Sequence, residues 1–423
     1  MKARKSAKAP SLFGAGTVGP ESGKGSRSGA KRGSERLRFT SLRLENWRNF
    51  TSVDVSLRSR VFLVGPNAAG KSNLQDAFRF LHDVVAVGGG FQAAIENKRG
   101  GIGGLRCLAA RQHSDIRIDV GIGTDQEPDV WRYSLVINQN NQRQPEIRSE
   151  RVEQRGVELL ARPDADDRED PKRLTQTHLE QINVNREFRE IADFFASVRY
   201  FHVVPQLVRE PDRSAGLTKD PFGGDLIEQI ASTPNRIQNS RLKKIEDALR
   251  VAVPQLRQLE VEKDARGVPH LRGKYQHWRP QGAWQREDQF SDGTLRLLGL
   301  LWALLDGTGP LLLEEPELSL HPEVIRHLPQ MFSRMQRTSG RQIVVSTHSP
   351  DLLVDPGIGL DEVLLLQPGE NGTVVRSTQD FEDIANLVVN GVPLPEAILP
   401  HTRPENVSQL VLFSDDRAGG PGS

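Results

Sequence analysis

Gly65-Pro66-Asn67-Ala68-Ala69-Gly70-Lys71-Ser72 fits the pattern G-x-x-x-x-G-K-[ST]. Glycines at its two ends let the backbone curl so that its N–H groups face an anion, and a helix start behind the loop adds partial positive charge. Lys71 has the reach to bridge the β- and γ-phosphates of a nucleotide, and Ser72 offers its hydroxyl to Mg²⁺. The flanks decide between this reading and a plain glycine turn. Val61-Phe62-Leu63-Val64 is a continuous apolar run of the kind a buried parallel strand shows. Leu74, Ala77, Phe78, Leu81 and Val85 then fall on one stripe of a helix.

Three further constellations bear on the same chemistry. Leu311-Leu312-Leu313-Glu314-Glu315-Pro316-Glu317 ends an apolar strand in acids, at the place where a parallel sheet puts its ligand. Glu314 is expected to hold the hydration shell of Mg²⁺, and Glu315 to orient an attacking water. Phe290-Ser291-Asp292-Gly293-Thr294-Leu295-Arg296 opens a helix with Ser291 at its N-cap. In isolation that is a capped helix. Shortly before an acidic strand, its hydroxyl and unpaired N–H groups make an anion site. Finally, Val344-Val345-Ser346-Thr347-His348 places a histidine at the end of the next buried strand, within reach of a γ-phosphate.

The elements that must position these groups alternate along the chain. Leu42 and Leu44, then Val53, Val55 and Leu57, have the period of half-buried strands. The segment 115–290 mixes strands (116–122, 130–137) with helices (242–253), and 162–172 reads as an exposed charged loop. After 290 come a helix to Leu305, the acidic strand, a helix over 323–336, and strands at 343–345 and 363–366. Strands alternating with helices imply an α/β fold with a mostly parallel sheet. The organisation expected is a basic tail at 1–36, an ATPase domain over 37–410 with an inserted lid at about 115–290, and a loose tail at 411–423. No heptad repeat is sustained, so no long coiled coil is expected.

Composition sets outer limits. In 423 residues there are 56 Lys and Arg against 55 Asp and Glu, so any basic surface is local. Arg143, Arg148, Arg151 and Arg155 form one cluster that could touch nucleic acid, and Arg241, Lys243, Lys244 and Arg250 another. The single cysteine, Cys107, excludes an intrachain disulfide and a cysteine-based metal cage. It fits a small buried hydrophobe in a reducing, cytoplasmic setting. No apolar run approaches the ~18 residues that span a bilayer, so no membrane is expected.

The order of these motifs resembles the ABC-type ATPases of the SMC, RecF and OLD (overcoming-lysogenisation-defect) group. Gly65 to Ser72 resembles Walker A, Phe290–Thr294 the signature motif, Leu311–Glu315 Walker B, and His348 the switch histidine. Leu318-Ser319-Leu320-His321-Pro322 resembles the loop that crosses the dimer interface. Leu42 to Phe50 resembles the first strand and turn of the group. The resemblance spans roughly 37–370 and is faint in the middle. It implies ATP and Mg²⁺ as ligands, ATP hydrolysis, and a head-to-tail homodimer in which Ser291 and Gly293 of one protomer cap the ATP of the other. Glu314 stands where Walker B usually has Asp, as in OLD-like members, and Asp292 where many signatures have Gly. The glutamine loop is indistinct, and Gln206 is the candidate.

The resemblance further implies DNA-related work in anti-phage defence or repair. With no Toprim acid pattern after His348, a separately encoded nuclease is the expected effector. A transporter-type energy subunit and a slow nucleotide-dependent scaffold are the alternatives.

Overall fold

A computed structural model describes residues 36–110, 114–210, 220–278 and 282–403. The tails expected at 1–36 and 411–423 lie outside them, apart from Arg36. The described chain opens with an antiparallel hairpin, β1 (Arg38–Trp47) and β2 (Phe50–Ser56), and passes directly into β3 (Arg60–Val64). Along β1, Leu42 and Leu44 turn inward while Arg43 and Glu45 face out. That is the period-2 signature of a sheet with one covered face. All five residues of β3 are buried, as a strand covered on both faces must be.

Four more strands then extend the hairpin sheet: β4 (Ile116–Gly123), β5 (Trp131–Gln139), β6 (Pro145–Gln154) and β7 (Val157–Arg162). Its order is β2-β1-β4-β5-β6-β7, antiparallel throughout. The segment expected to form the lid therefore divides. Residues 116–162 continue the sheet that β1 begins. The later part holds β8 (Arg199–Phe201), the helix Asn235–Ala252, and a three-stranded antiparallel sheet of β9 (Leu256–Lys263), β10 (Pro269–Tyr275) and β11 (Ala283–Arg286). β8 itself leaves that region to join the core.

The core sheet is completed by β12 (Leu311–Glu314), β13 (Ile343–Thr347), β14 (Val363–Gln367) and β15 (Val374–Ser377). Its order is β15-β14-β3-β13-β12-β8, parallel except for β15. One face packs on the helix Lys71–Val85 and the antiparallel sheet, through Val61, Leu63, Leu312 and Val344. The other carries Phe62, Leu313 and Val345 against the helices Asp292–Leu305 and Pro322–Ser339. A buried amide joins the layers. Phe39 N–H donates to Gln342 Oε1, and Gln342 Nε2 donates to the carbonyls of Phe39 and Arg58.

The charged stretch 162–172 is largely exposed, as its composition suggests, but it is not a loop and it buries Arg162 and Asp167. It forms the short helix Ala165–Glu169 and a 3-10 turn, Pro171–Thr175. Arg162, Glu150 and Asp167 are fully buried within it and around it. Arg162 donates twice to Asp167, at 2.8 Å each, and once to Glu150 at 3.0 Å. The Arg162 hydrogen bonds hold the Asp167 carboxyl well below the usual range. Glu150 also accepts from the main-chain N–H groups of His178 and Leu179 and from the Tyr133 hydroxyl. Burial was possible because every charge found a partner, which composition does not report. Arg162→Met would take from two buried carboxylates their shared cation, leaving Glu150 with neutral donors only and Asp167 with the looser Arg173 pair at 3.4 Å. It is expected to cost about 3–5 kcal/mol of stability, read as a lowered urea midpoint. An unchanged midpoint would remove this triad from the determinants of the fold.

Candidate functional site

Parallel pairing sets three strand ends side by side. Val64 of β3 pairs with Thr347 of β13, and Ser346 of β13 with Glu314 of β12. The loop Gly65–Ser72, the acids 314–317 and His348 thus leave the sheet at one edge, although they lie far apart in sequence.

The loop turns through two left-handed residues, Ala68 (φ 62°) and Gly70 (φ 96°), before the helix Lys71–Val85 begins. At Gly70 a side chain is excluded twice over. Its φ disfavours L residues, and a Cβ would lie 2.2 Å from Asn49 Nδ2. Asn49 braces the loop from the β1–β2 turn: its Nδ2 donates to the Ala69 carbonyl and to the Thr373 hydroxyl, while its Oδ1 accepts from Asn73. Lys71 is buried, its Nζ folded back onto the carbonyls of Gly65 (2.9 Å) and Pro66 (3.1 Å). Burial pulls its ammonium below the ordinary value, and the carboxylates of Glu315, Glu317 and Glu314 oppose that pull.

Glu314 is the hub of the acidic end. One carboxylate oxygen accepts from the Ser72 hydroxyl and the other from the Tyr200 hydroxyl of β8. His202 Nδ1 donates to the Glu314 main-chain carbonyl at 3.1 Å. Burial pushes the Glu314 carboxyl up; Ser72 opposes this and neighbouring Glu315 adds to it. A hydroxyl and a carboxylate in contact beside a phosphate loop are the donor pair that Mg²⁺ takes in P-loop enzymes, so the residues fit a magnesium nucleotide. Glu315 stands in the left-handed region (φ 43°), held by its N–H to the Ser346 carbonyl. That places its carboxylate 3.1 Å from His348 Nδ1. Glu317, by contrast, is buried against the Thr347 hydroxyl and is pushed up by burial.

The remaining expected residues lie elsewhere. Ser291 caps the helix Asp292–Leu305 by accepting from Thr294 N–H. Gly293 meets the crossing loop: a Cβ there would lie 2.6 Å from the Ser319 carbonyl. No hydrogen bond among the described residues links Ser291 or Gly293 to the Gly65–Ser72 loop of the same chain. Gln206 is exposed on the turn of helix Pro205–Val208, beyond the end of β8. Asn49 and Tyr200 carried no assignment from sequence. Asn49 lies in the Leu42–Phe50 stretch quoted above, which was a signal; nothing local marks Tyr200. Both basic clusters carry acids with them. Arg148, Arg151 and Arg155 pair with Glu146, Glu158 and Glu127. Arg241 pairs with Asp306, and Lys243 and Arg250 share Glu246 and Asp247.

Parallel strands that deliver a phosphate loop and paired acids to one edge, layered on an antiparallel sheet, give this chain the fold of the ABC-type ATPase heads of the SMC kind. Sequence comparison narrows this. Residues 60–355 match the model of the family described as "AAA domain, putative AbiEii toxin, Type IV TA system", and the chain belongs to that family. No curated protein matches the sequence. Among solved structures, the fold is similar to the Smc head bound to the C-winged helix domain of ScpA. Identity is 12%, with 80% of this chain and 97% of that one covered and a TM-score of 0.50. The SMC head domain from Thermotoga maritima is similar at 13% identity, covering 80% of this chain and 98% of its own, with a TM-score of 0.42. Among the described residues, no helix is long and apolar enough to cross a membrane.

Gly70→Ala would force Asn49 off the loop. It is expected to weaken ATP binding at least about tenfold, roughly 1.4 kcal/mol, in a fluorescent-nucleotide titration. Unchanged affinity would separate the Asn49 brace from nucleotide binding.

Proposed function

We propose that this chain binds and hydrolyses MgATP at the edge where β3, β12 and β13 end, and that ATP closes two protomers head to tail. The observation that carries the reading is the convergence of Lys71, Ser72, Glu314, Glu315 and His348 on that edge. Gly65 to Gly70 would wrap the phosphates with main-chain N–H groups, and Lys71 would exchange its carbonyl partners for β- and γ-phosphate oxygens. Ser72 and Glu314 would hold Mg²⁺, which supplies charge neutralisation at the phosphates. Glu315 is the base that orients the attacking water, and His348, in contact with it, faces the γ-phosphate. We assign the sensing role of the glutamine loop to Gln206, because β8, which it follows, pairs directly with β12.

The head-to-tail arrangement is supported by where Ser291 and Gly293 lie. They reach no phosphate loop in their own chain, and a capped helix start neutralises phosphate only at close range. Glu314, Glu315 and His348 on one protomer and Ser291 on the other would then complete each site. The motif set, with the SMC-like fold, supports DNA as the object of this switch, in anti-phage defence or repair with a separate nuclease. The internal pairing of both basic clusters makes DNA contact through a partner the stronger form of that reading.

Lys71→Ala is expected to abolish ATP binding. Glu315→Gln should bind ATP but turn over roughly 10²–10⁴-fold more slowly in a phosphate-release assay. Normal turnover would discard Glu315 as the base. Ser291→Arg should remain a folded monomer with ATP when sized by light scattering; dimerisation would argue against the head-to-tail closure. Glu315→Gln purified from its native cell with ATP and Mg²⁺ should bring down DNA or a nuclease. A membrane permease in the eluate would favour the transporter reading instead, and the chain alone would favour the scaffold.

A further inference from the structure

A cavity of about 460 Å³ opens along β8, the edge strand of the core sheet, between the helices Lys71–Val85 and Asp292–Leu305. Its charges do not balance once each partner is assigned. Of the acids that line it, Asp83 is held by Lys98 and Arg99, and Asp306 by Arg241. Asp220 accepts from the main-chain N–H groups of Phe222 and Gly224. Arg79 and Arg199 line the same space, and among the described residues neither makes an ion pair. Arg341, also in the lining, donates through Nε and Nη1 to carbonyls of Gly309, Ala303 and Asp306. Its Nη2 is buried with no acceptor, and so is Nε1 of Trp302.

Around one cavity, two guanidinium groups, Arg79 and Arg199, thus lack an ion pair, and one nitrogen each of Arg341 and Trp302 lacks an acceptor. Burial lowers both Arg79 and Arg341, the latter to about 10, and nearby carboxylates, Asp76 for the first and Asp306 for the second, only partly oppose it. A ligand with acceptor oxygens would satisfy these donors. The volume falls within the range of small-molecule sites, roughly 300–1,000 Å³. Phe201 and Trp302 supply an apolar wall for an organic portion.

We propose that this cavity binds a small multivalent oxyanion, a phosphate- or carboxylate-bearing metabolite, at a site separate from the nucleotide. It also has a route to that nucleotide site. The Arg79 guanidinium lies over the Tyr200 ring, 4.0 Å from its centroid, and Tyr200 donates to Glu314. An anion that draws Arg79 away from the ring alters the hydrogen bonding of Glu314. This route rests on the magnesium role given to Glu314; the binding site does not.

The test is calorimetric titration of the full chain carrying Lys71→Ala, which removes the phosphate loop as a competing anion site and needs no hydrolysis. Inorganic pyrophosphate and citrate are the probes, each at fixed ionic strength. Saturable one-to-one binding of either supports the site, and which one binds separates phosphate from carboxylate recognition. Adding Arg199→Glu should weaken that binding at least about tenfold with an unchanged melting temperature. Val87→Glu sets a carboxylate on a fully exposed lining residue, where folding is not at risk, and should weaken binding as well. Absence of saturable binding by both probes, or equal affinity in both variants, overturns the proposal.

Discussion

Everything at the nucleotide edge depends on the hydrogen-bond register between β3, β13 and β12. A parallel sheet sets the ends of its strands at one border, whatever the distance along the chain. Here that border receives a loop from the first third of the chain and acids and a histidine from the last third. A one-residue slip of β12 would turn Glu314 to the opposite face of the sheet and break its contacts with Ser72 and Tyr200. Complete burial of β3 and β13 on both faces resists such a slip, because apolar packing on either side fixes their position along the strand direction. The chemistry is therefore held by core packing more than by the few polar contacts within the site.

Two kinds of strain are accepted at this edge. Glu315 occupies a left-handed backbone conformation that a non-glycine residue rarely adopts, and Lys71 is withdrawn from water. Both are secured by neighbours of fixed position: the Ser346 carbonyl for Glu315, the Gly65 and Pro66 carbonyls for Lys71. The site is built in advance, with Lys71 already drawn out of solvent and Glu315 already set against His348, which is how electrostatic stabilisation is gained without reorganisation.

Most of this was legible in the sequence where the signal was local. Gly65–Ser72 announced itself through spacing, and its flanking strand and helix through periodicity. The acids and His348 were placed by the apolar runs before them. What escaped notice depended on contacts between distant segments. Tyr200 sits in a three-residue strand, too short for any pattern, and its role exists only because β8 pairs with β12. Charge density at 162–172 indicated solvent exposure, which holds for most of the stretch, but it did not show that Arg162 would find Glu150 and Asp167 in the interior. For the basic cluster at 241–250, the partner of Arg241 is likewise distant: Asp306, from the end of another helix.

Gln342 carries a consequence of another kind. Its amide grips the start of β1 on both sides of Phe39, and it immediately precedes β13, the strand that ends one residue before His348. The outer antiparallel sheet and the histidine are thus the two ends of one taut line, running through a buried amide and a fully extended backbone. A displacement of the start of β1 would therefore be felt, through this single amide, at the strand that carries His348.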